Sequence, residues 1–300
     1  MKVHVFPVDD PIGCEPVTCT RSLADVPVAN RPLAQVRDAI LVEAGLELTR
    51  RPAQAHLYLR GDAWVSAAFA HSLAACTSDC RIVDATGNVL GWSGGTLDAV
   101  PDAPVKSTDA ESLRIVHSWD FLRINEQLLR VLAADEIAGE VSPRAEIAGH
   151  LVLGEGSRVL PGVYIEGNVV IGRNCKIGPN CYLRGSTSIG DDCHIGQAVE
   201  VKNSLLMSGV SIGHLSYCGD SIVGHGTNFG AGTITANFRH DGRHHRSMID
   251  GVLVDTGRLK FGAIIGDDVH TGIHTSIYPG RKLWPHTSTR PGDSVQYDLV

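Results

Sequence analysis

Two cations and one histidine are the residues of this chain whose types and spacing best suit a chemical role. Arg184 and Lys202 are eighteen positions apart, and His214 follows them. An arginine and a lysine on neighbouring layers of one surface can hold a phosphate, the arginine as a fork of donors and the lysine as a point charge. A histidine suits the removal of a proton from an attacking amine near neutral pH. A single histidine is more often structural or merely solvated, so the elements around it must be considered.

The elements that would position these residues follow from a six-residue repeat. Ten positions in steps of six are all Ile, Val or Leu, namely Ile147, Leu153, Val159, Ile165, Ile171, Ile177, Leu183, Ile189, Ile195 and Val201. This period fits neither an α-helix nor simple strand alternation, and it is the signature of a parallel β-helix. Each hexad forms one short strand and a turn, and its aliphatic residue fills the interior of a three-sided prism. Arg184 and Lys202 then lie on one face, one layer apart.

The repeat changes register after Val201 and is later interrupted. Further interior positions are expected at Ile212, Val223, Phe229, Ile265, Thr271 and Ile277. The gap from about residue 237 to 260 is too long and too polar for coils, so we expect a segment that leaves the prism, as functional loops often do. Residues 239–246 of this segment are rich in Arg and His. They suit a solvated loop, a clamp for CoA or sugar phosphates, or a metal site using His240 and His245. The third histidine of a zinc site is missing, and we predict no metal.

The whole sequence predicts three parts. They are a small α/β domain over residues 1–118, a linking helix over 119–140 and the β-helix over 141–300. The predicted elements are strands at Lys2–Phe6 and His56–Leu59, a hairpin at Arg81–Trp92, and helices at Pro32–Ala44 and Trp119–Ala134. The fold class is therefore mainly β, a parallel β-helix with a small N-terminal α/β domain.

Composition narrows the class of protein. The 300 residues are 43% hydrophobic and 20% charged, with a net charge of −7 that argues against a nucleic-acid partner. No apolar run is long enough to span a membrane, and the first residues lack the apolar segment of a secretory signal, so we expect a cytoplasmic protein without a membrane partner.

The eight cysteines form no Cys-x-x-Cys pair. Three of them, Cys175, Cys181 and Cys193, occupy one repeat slot and are expected to be small buried side chains.

Two stretches, Gly213-His214-Leu215-Ser216-Tyr217-Cys218-Gly219-Asp220 and Asn228-Phe229-Gly230-Ala231-Gly232-Thr233-Ile234-Thr235-Ala236-Asn237, resemble a known family. They are similar to the acetyltransferase domain of the bifunctional N-acetylglucosamine-1-phosphate uridylyltransferases. They are more similar still to the archaeal-type sugar-1-phosphate nucleotidylyltransferase/acetyltransferases, which share a long insert after the Asn. The resemblance covers roughly residues 141 to 280. It implies a left-handed β-helix, a homotrimer with active sites between subunits, and acetyl-CoA as co-substrate with a sugar phosphate.

The resemblance also implies roles for individual residues. His214 matches the general base, and Asn237 matches an Asn near the reacting amine. The residues matching those that bind the sugar phosphate are Arg184, Lys202, Tyr217 and Asn228. The residues matching those near acetyl-CoA are Ala231 and Lys260. The sequence near Ala231 fits these acetyltransferase roles. Backbone amides at 230–232 could stabilise the oxyanion that forms during acyl transfer.

The N-terminal region resembles the same family only in short segments, at residues 14–26, 28–33 and 119–125. The glycine-rich loop that cradles nucleotide phosphates is absent, with only Gly13 near its place, and Asp62 is a candidate remnant of the metal-binding Asp. We therefore expect a truncated domain without nucleotidyl transfer, and Mg²⁺ would be needed only if this domain were active. The expected function is acetyl-CoA-dependent N-acetylation of glucosamine- or galactosamine-1-phosphate. The alternatives are a sugar-1-phosphate nucleotidylyltransferase and a non-catalytic trimeric sugar-nucleotide-binding homologue.

Overall fold

A computed structural model describes residues 1–300, and the chain forms two compact units. The first unit comprises residues 1–11, 22–26 and 31–116, and the second comprises 12–21, 27–30 and 117–300. Two short segments of the predicted N-terminal domain therefore belong to the second unit. Neither unit contains a helix with the length and apolar character needed to cross a bilayer.

The first unit is a six-stranded mixed sheet with two α-helices, α1 at Leu33–Glu43 and α2 at Ala67–Ala74. The apolar residues of α1 face the core: Leu33, Val36 and Leu41 are buried, and Ile40 is partly buried. Gly45 ends α1 with a φ of +88°, a backbone conformation that favours glycine. In sheet order the strands are Glu47–Leu48, Lys2–Phe6, Leu57–Arg60, Val89–Ser93, Cys80–Val83 and Val105–Ser107. The remaining short elements before residue 117 are Ile12–Cys14, Leu23–Asp25, Pro27–Val28, Arg31–Pro32, Pro52–Gln54, Ala63–Trp64 and Leu113–Arg114.

The second unit contains the predicted left-handed parallel β-helix, a prism with three parallel sheets as faces. Face 1 consists of Glu136–Ile137, Leu151–Leu153, Val169–Ile171, Thr187–Ile189, Leu205–Leu206, Ile222–Val223, Ile264–Ile265 and Lys282–Leu283. Face 2 consists of Glu140–Val141, Arg158–Val159, Lys176–Ile177, His194–Gln197, Ser211–His214 and Asn228–Phe229. Face 3 consists of Glu146–Ala148, Tyr164–Glu166, Tyr182–Arg184, Glu200–Lys202, Tyr217–Gly219, Ile234–Thr235, Ser276–Ile277 and Ser294–Val295. The first strand of the prism thus begins at Glu136, five residues before the predicted start at residue 141.

The interior of the prism confirms the six-residue register. Nine of the ten predicted positions are at most 2% exposed, and Ile147 in an early coil is partly buried against the same core. Burial of this aliphatic column is the main stabilising term, at roughly 25 cal/mol per Å² of apolar surface. The cysteine column also lies inside, and the backbone N–H of Cys193 is 3.4 Å from Sγ of Cys175 one coil away.

The register change after Val201 is the loss of one residue from each of two successive coils, since Tyr217 also pairs with Ile234, seventeen residues after it. Lys202 pairs with Arg184, eighteen residues before it, but with Gly219, only seventeen residues after it. Cys218 and Thr235 consequently fill interior positions that the aliphatic pattern does not reveal, and both are 0% exposed. The predicted interior residues after the change are buried as well: Ile212, Val223, Phe229, Ile265, Thr271 and Ile277.

Helix α3 at Ser118–Arg130 lies in the second unit. It ends four residues before Ala134, the predicted end of this helix. Its end is set by Asn168, whose Nδ2 donates hydrogen bonds to the carbonyl oxygens of Leu129 at 2.7 Å and Leu132 at 3.0 Å. These bonds satisfy carbonyl groups that the end of a helix leaves without intrahelical partners. The amide of Asn125 holds the middle of α3 on face 1, because its Oδ1 accepts a 2.9 Å hydrogen bond from Ser188.

Candidate active site

Arg184 and Lys202 stack on face 3, as their spacing predicts. Their Cα atoms are register partners in adjacent strands, and both side chains are partly exposed. The distance between coils brings two positive charges close together at one surface. An approaching phosphate would therefore meet both charges on the same face.

Both cations already have carboxylate partners. Nη1 of Arg184 is 3.2 Å from Oε1 of Glu200, and Nε is 3.7 Å from Oε2 of Glu166. Nζ of Lys202 is 3.0 Å from Oδ2 of Asp220. Two cations thus face three carboxylates, so a phosphate would have to compete with Glu200, Glu166 and Asp220 for the cations.

Asp220 is the centre of a hydrogen-bond network that joins three of the predicted site residues. Besides Lys202, its carboxylate accepts a 2.6 Å hydrogen bond from Nδ2 of Asn237 and a 2.9 Å bond from Nδ2 of Asn203. Nδ2 of Asn237 also donates to the hydroxyl oxygen of Tyr217 at 2.8 Å. Asp220 is 1% exposed, and a carboxylate buried to this extent requires such partners. Lys202, Tyr217 and Asn237 are therefore brought together around one buried charge.

The sequence analysis did not select Asp220, although its position in the repeat points to it. It is an acidic residue seventeen positions after Asn203, so it lies one shortened coil later at the corner that follows Lys202. In the structure Asp220 has a φ of +50°, a left-handed conformation that Asp adopts more readily than most residues. This backbone places its carboxylate against side chains from three successive coils.

Tyr217 supplies a neutral hydroxyl to this network. Burial, with the nearby charges of Asp220 and Glu200, raises the pKa of Tyr217 to about 12. The phenol therefore stays protonated at any physiological pH. Since its oxygen accepts from Asn237, its own proton can be donated to a ligand.

His214 lies on face 2, separated from Tyr217 by the corner formed by Leu215 and Ser216. It is the last residue of the strand Ser211–His214, and its side chain is exposed. Leu215 turns the chain with a φ of +51°, and Oγ of Ser216 donates a 2.7 Å hydrogen bond to the carbonyl oxygen of His214. This corner fixes the backbone of the histidine and leaves the imidazole directed to solvent. No hydrogen bond connects its ring to the Asp220 network.

Two other predicted residues, Asn228 and Ala231, lie on the coil after His214. Asn228 is exposed on face 2 and is the register partner of Ser211. Ala231 lies in the following turn, where its carbonyl oxygen accepts a 2.8 Å hydrogen bond from the backbone of His274. Neither side chain has a hydrogen bond to the Asp220 network.

Lys260 closes the predicted insert. Its ammonium lies 3.8 Å from the centre of the Phe238 ring, within the range of a cation–π interaction. Phe238 and Lys260 are also antiparallel bridge partners, so the two ends of the insert meet at the prism. Lys260 is thus held at the base of the insert and not in the Asp220 network.

The insert itself is a hairpin that leaves the prism, as predicted. Its strands Arg246–Ile249 and Val252–Asp255 pair only with each other. His245 is 1% exposed, and its Nε2 lies 3.0 Å from the carbonyl oxygen of Asn237. Burial lowers the pKa of His245. No group of three or more His, Cys, Asp or Glu side chains is arranged to hold a metal ion.

In the first unit, the carboxylate of Asp62, the candidate metal ligand, is paired with two arginines. Its carboxylate accepts hydrogen bonds from Arg60 at 2.8 and 2.9 Å and from Nε of Arg114 at 2.9 Å. Asp62 is 0% exposed. A divalent cation could reach this carboxylate only by displacing both guanidinium groups.

Comparisons with known proteins match the C-terminal part of the chain. The family model described as the GMPPB C-terminal domain matches residues 165–288. The bifunctional sugar-1-phosphate nucleotidylyltransferase/acetyltransferase of Sulfurisphaera tokodaii is 40% identical over 181 residues, which are 60% of this chain and 45% of that protein. Bifunctional protein GlmU of Methanococcus maripaludis is 51% identical over 169 residues, which are 56% of this chain and 41% of that protein. The chain thus spans less than half the length of these curated relatives.

Among solved structures, a UDP-N-acetylglucosamine acyltransferase from Francisella novicida aligns with a TM-score of 0.28 and 15% identity, covering 52% of this chain and 62% of that one. Over its C-terminal half, this chain is similar to the bifunctional sugar-1-phosphate nucleotidylyltransferase/acetyltransferases, as the motifs around His214 and Asn237 predict.

Proposed function

We propose that this chain is an acetyl-CoA-dependent N-acetyltransferase that acts on an amino-sugar 1-phosphate, glucosamine- or galactosamine-1-phosphate. The observation that carries the proposal is the network of Lys202, Tyr217 and Asn237 around Asp220. It offers a cation, a hydroxyl and an amide at one surface, which are the groups needed to orient a phosphorylated sugar. The 40% and 51% identical relatives carry acetyltransferase or GlmU in their names, which supports the same reaction class.

In the proposed reaction, the amine of the sugar attacks the thioester carbon of acetyl-CoA while His214 removes a proton from the amine. The negative charge that develops on the thioester oxygen is stabilised by backbone N–H groups in residues 230–232. The carbon–sulfur bond then breaks, and the CoA thiolate takes up the proton that His214 carries. The products are the N-acetylated sugar phosphate and free CoA, so atoms and charge balance.

Arg184 and Lys202 bind the sugar phosphate in this proposal, with Tyr217 and Asn228 on the sugar and Asn237 beside its amine. Ala231 and Lys260 lie on the acetyl-CoA side. Because His214, Asn228 and Lys260 do not reach the Asp220 network within one protomer, we propose that the site is completed between subunits of a homotrimer. The carboxylates paired with the two cations then retain them in position until a phosphate exchanges with them.

Nucleotidyl transfer is left out of the proposal, and with it any need for Mg²⁺. The pairing of Asp62 with Arg60 and Arg114 supports this choice. The proposal is tested by a thiol-release assay with acetyl-CoA against each of the two sugar phosphates, with the product identified by mass. Light scattering gives the oligomeric state in the same preparation. Absence of thiol release with both sugars would contradict the proposed function.

A further inference from the structure

A groove of about 600 Å³ lies between the insert hairpin and the turn after the face 3 strand Ser276–Ile277. Its walls combine charged and aromatic side chains, among them Phe238, Arg239, Arg246, Leu253, Tyr278 and Arg281. The volume is within the usual range for a site that holds a small molecule. The residues to which the proposed function gives roles do not line this groove, and by sequence alone residues 239–246 at its wall suit a loop, a clamp or a metal site.

The groove is held in shape by contacts at the base of the hairpin. Oγ of Ser247, a fully buried side chain, donates a 2.9 Å hydrogen bond to the carbonyl oxygen of Gly280. A Cβ atom at Gly280 would lie 2.4 Å from the carbonyl oxygen of Arg246, and Gly280 has a φ of +73°. Only glycine permits this close approach. His245 anchors the same strand to the carbonyl of Asn237.

The charges of the groove suit an anionic ligand. Arg239 is paired with Asp241 at 2.5 Å, whereas Arg246 and Arg281 form no ion pair. A guanidinium presents a fork of donors that matches phosphate oxygens. Three large apolar side chains at the groove are also exposed, Phe238 by 51%, Tyr278 by 49% and Leu253 by 42%. A planar base could cover them while its phosphates meet the arginines.

The position of the groove relates it to the candidate active site. Ala236 and Phe238 line the groove, and the residue between them is Asn237, which belongs to the Asp220 network. A ligand that fills the groove and also reacts beside Asn237 must have a nucleotide at one end and a reactive group on a long arm. Acyl-CoA has this composition, whereas a sugar phosphate has neither the base nor the arm.

We propose that the groove binds the 3′-phosphorylated adenosine diphosphate end of acyl-CoA, with Arg246 and Arg281 on the phosphates and Tyr278 against the adenine. This assignment rests on the proposed acetyl-CoA-dependent function and gives the Arg-rich insert a role in binding the donor. The pantetheine arm then runs from the hairpin towards Asn237.

The test is a calorimetric titration of the full chain with CoA, 3′-dephospho-CoA and pantetheine. CoA is expected to bind roughly tenfold or more tightly than dephospho-CoA, since one charge-assisted phosphate contact is lost. Arg246→Ala and Arg281→Ala should each weaken CoA binding by roughly tenfold or more and leave pantetheine binding unchanged. Tyr278→Ala should weaken CoA and dephospho-CoA by the same factor. The control is Arg144→Ala, which removes an exposed arginine of an early coil.

The outcomes separate this proposal from the proposed function. If the groove variants bind CoA within twofold of the parent, or lose pantetheine binding equally, the nucleotide end lies elsewhere and the groove assignment is wrong. If the parent shows the expected pattern but releases no thiol with an amino-sugar phosphate, the groove assignment stands and the proposed function fails. If the parent does not bind CoA, both proposals fail.

Discussion

The ammonium group of Lys202 lies 3.0 Å from Oδ2 of Asp220, whose side chain is only 2% exposed. Lys202 is therefore a structural partner of a buried carboxylate as well as a candidate phosphate ligand. Removing one member of a buried ion pair leaves the other charge without compensation, which costs more than the pair itself contributes. Asn203 and Asn237 satisfy the remaining lone pairs of Asp220, so the stability and the chemistry of this corner are coupled.

We expect Lys202→Ala to destabilise the protein and Asp220→Asn to reverse part of the loss. Breaking a buried pair typically costs about 3–5 kcal/mol, and because 24% of the Lys202 side chain is exposed the loss should fall at the lower end of that range. Urea unfolding of the two single variants and the double variant measures the coupling. A double variant less stable than Lys202→Ala would show that the carboxylate does not depend on this cation.

We expect Arg184→Ala to raise the KM for the sugar phosphate and to leave the KM for acetyl-CoA nearly unchanged. One lost charge-assisted contact corresponds to an increase of roughly ten- to a hundredfold. Combining it with Lys202→Ala should cost less than the sum of the single effects, because both cations act on one phosphate. Steady-state kinetics on both substrates provide the comparison. Additive losses, or losses mainly on acetyl-CoA, would move these residues to the donor site.

His214→Ala should lower the rate of acyl transfer by roughly 10²–10⁴-fold, the usual contribution of a general base. Because the imidazole is exposed at the end of a strand, the melting temperature should stay close to that of the parent. The matched control is His225→Ala, which removes another exposed histidine of the prism. Activity of His214→Ala within tenfold of the parent would exclude the general-base role.

Ile177→Asp should disrupt the fold, whereas Lys176→Asp should not. Ile177 is 0% exposed in the aliphatic column, and the neighbouring Lys176 points outward from the same strand. An unpaired carboxylate in the interior costs several kcal/mol or forces local unfolding. Circular dichroism and thermal denaturation of both variants test this difference. Equal stability of the two variants would contradict the interior position of Ile177.

The protein should lose stability as the pH falls from about 6.5 towards 4, and His117 should contribute to the loss. Burial, with the nearby charge of Lys282, lowers the pKa of His117 from 6.5 to about 4. Between these values the unfolded chain binds a proton that the folded chain does not, so the stabilisation by neutral His117 is lost on acidification.

The variant that tests this prediction is His117→Phe, which keeps a ring to stack on Trp119, 4.2 Å away between centroids, but cannot be protonated. Melting temperatures measured from pH 7 to pH 4 should fall less steeply for this variant than for the parent. Identical slopes would mean that other groups cause the acid dependence.

The sequence alone determines the prism and the face on which Arg184 and Lys202 lie. The reason is that the six-residue period is local and repeated, so each aliphatic residue independently specifies the interior side of its own strand. A spacing of eighteen residues then places two side chains on adjacent coils without any knowledge of the remaining structure. The motifs around His214 and Asn237 likewise identify the related family from the sequence.

Only the tertiary structure decides which groups meet between coils. The loss of one residue from each of two coils after Lys202 shifts every later side chain, and the left-handed backbone of Asp220 turns its carboxylate towards Lys202 and Asn237. Asn168 ends α3 from a different part of the chain, and Gly280 allows the hairpin to approach the prism. These contacts depend on side-chain directions and close approaches between residues distant in sequence, and no local period encodes them.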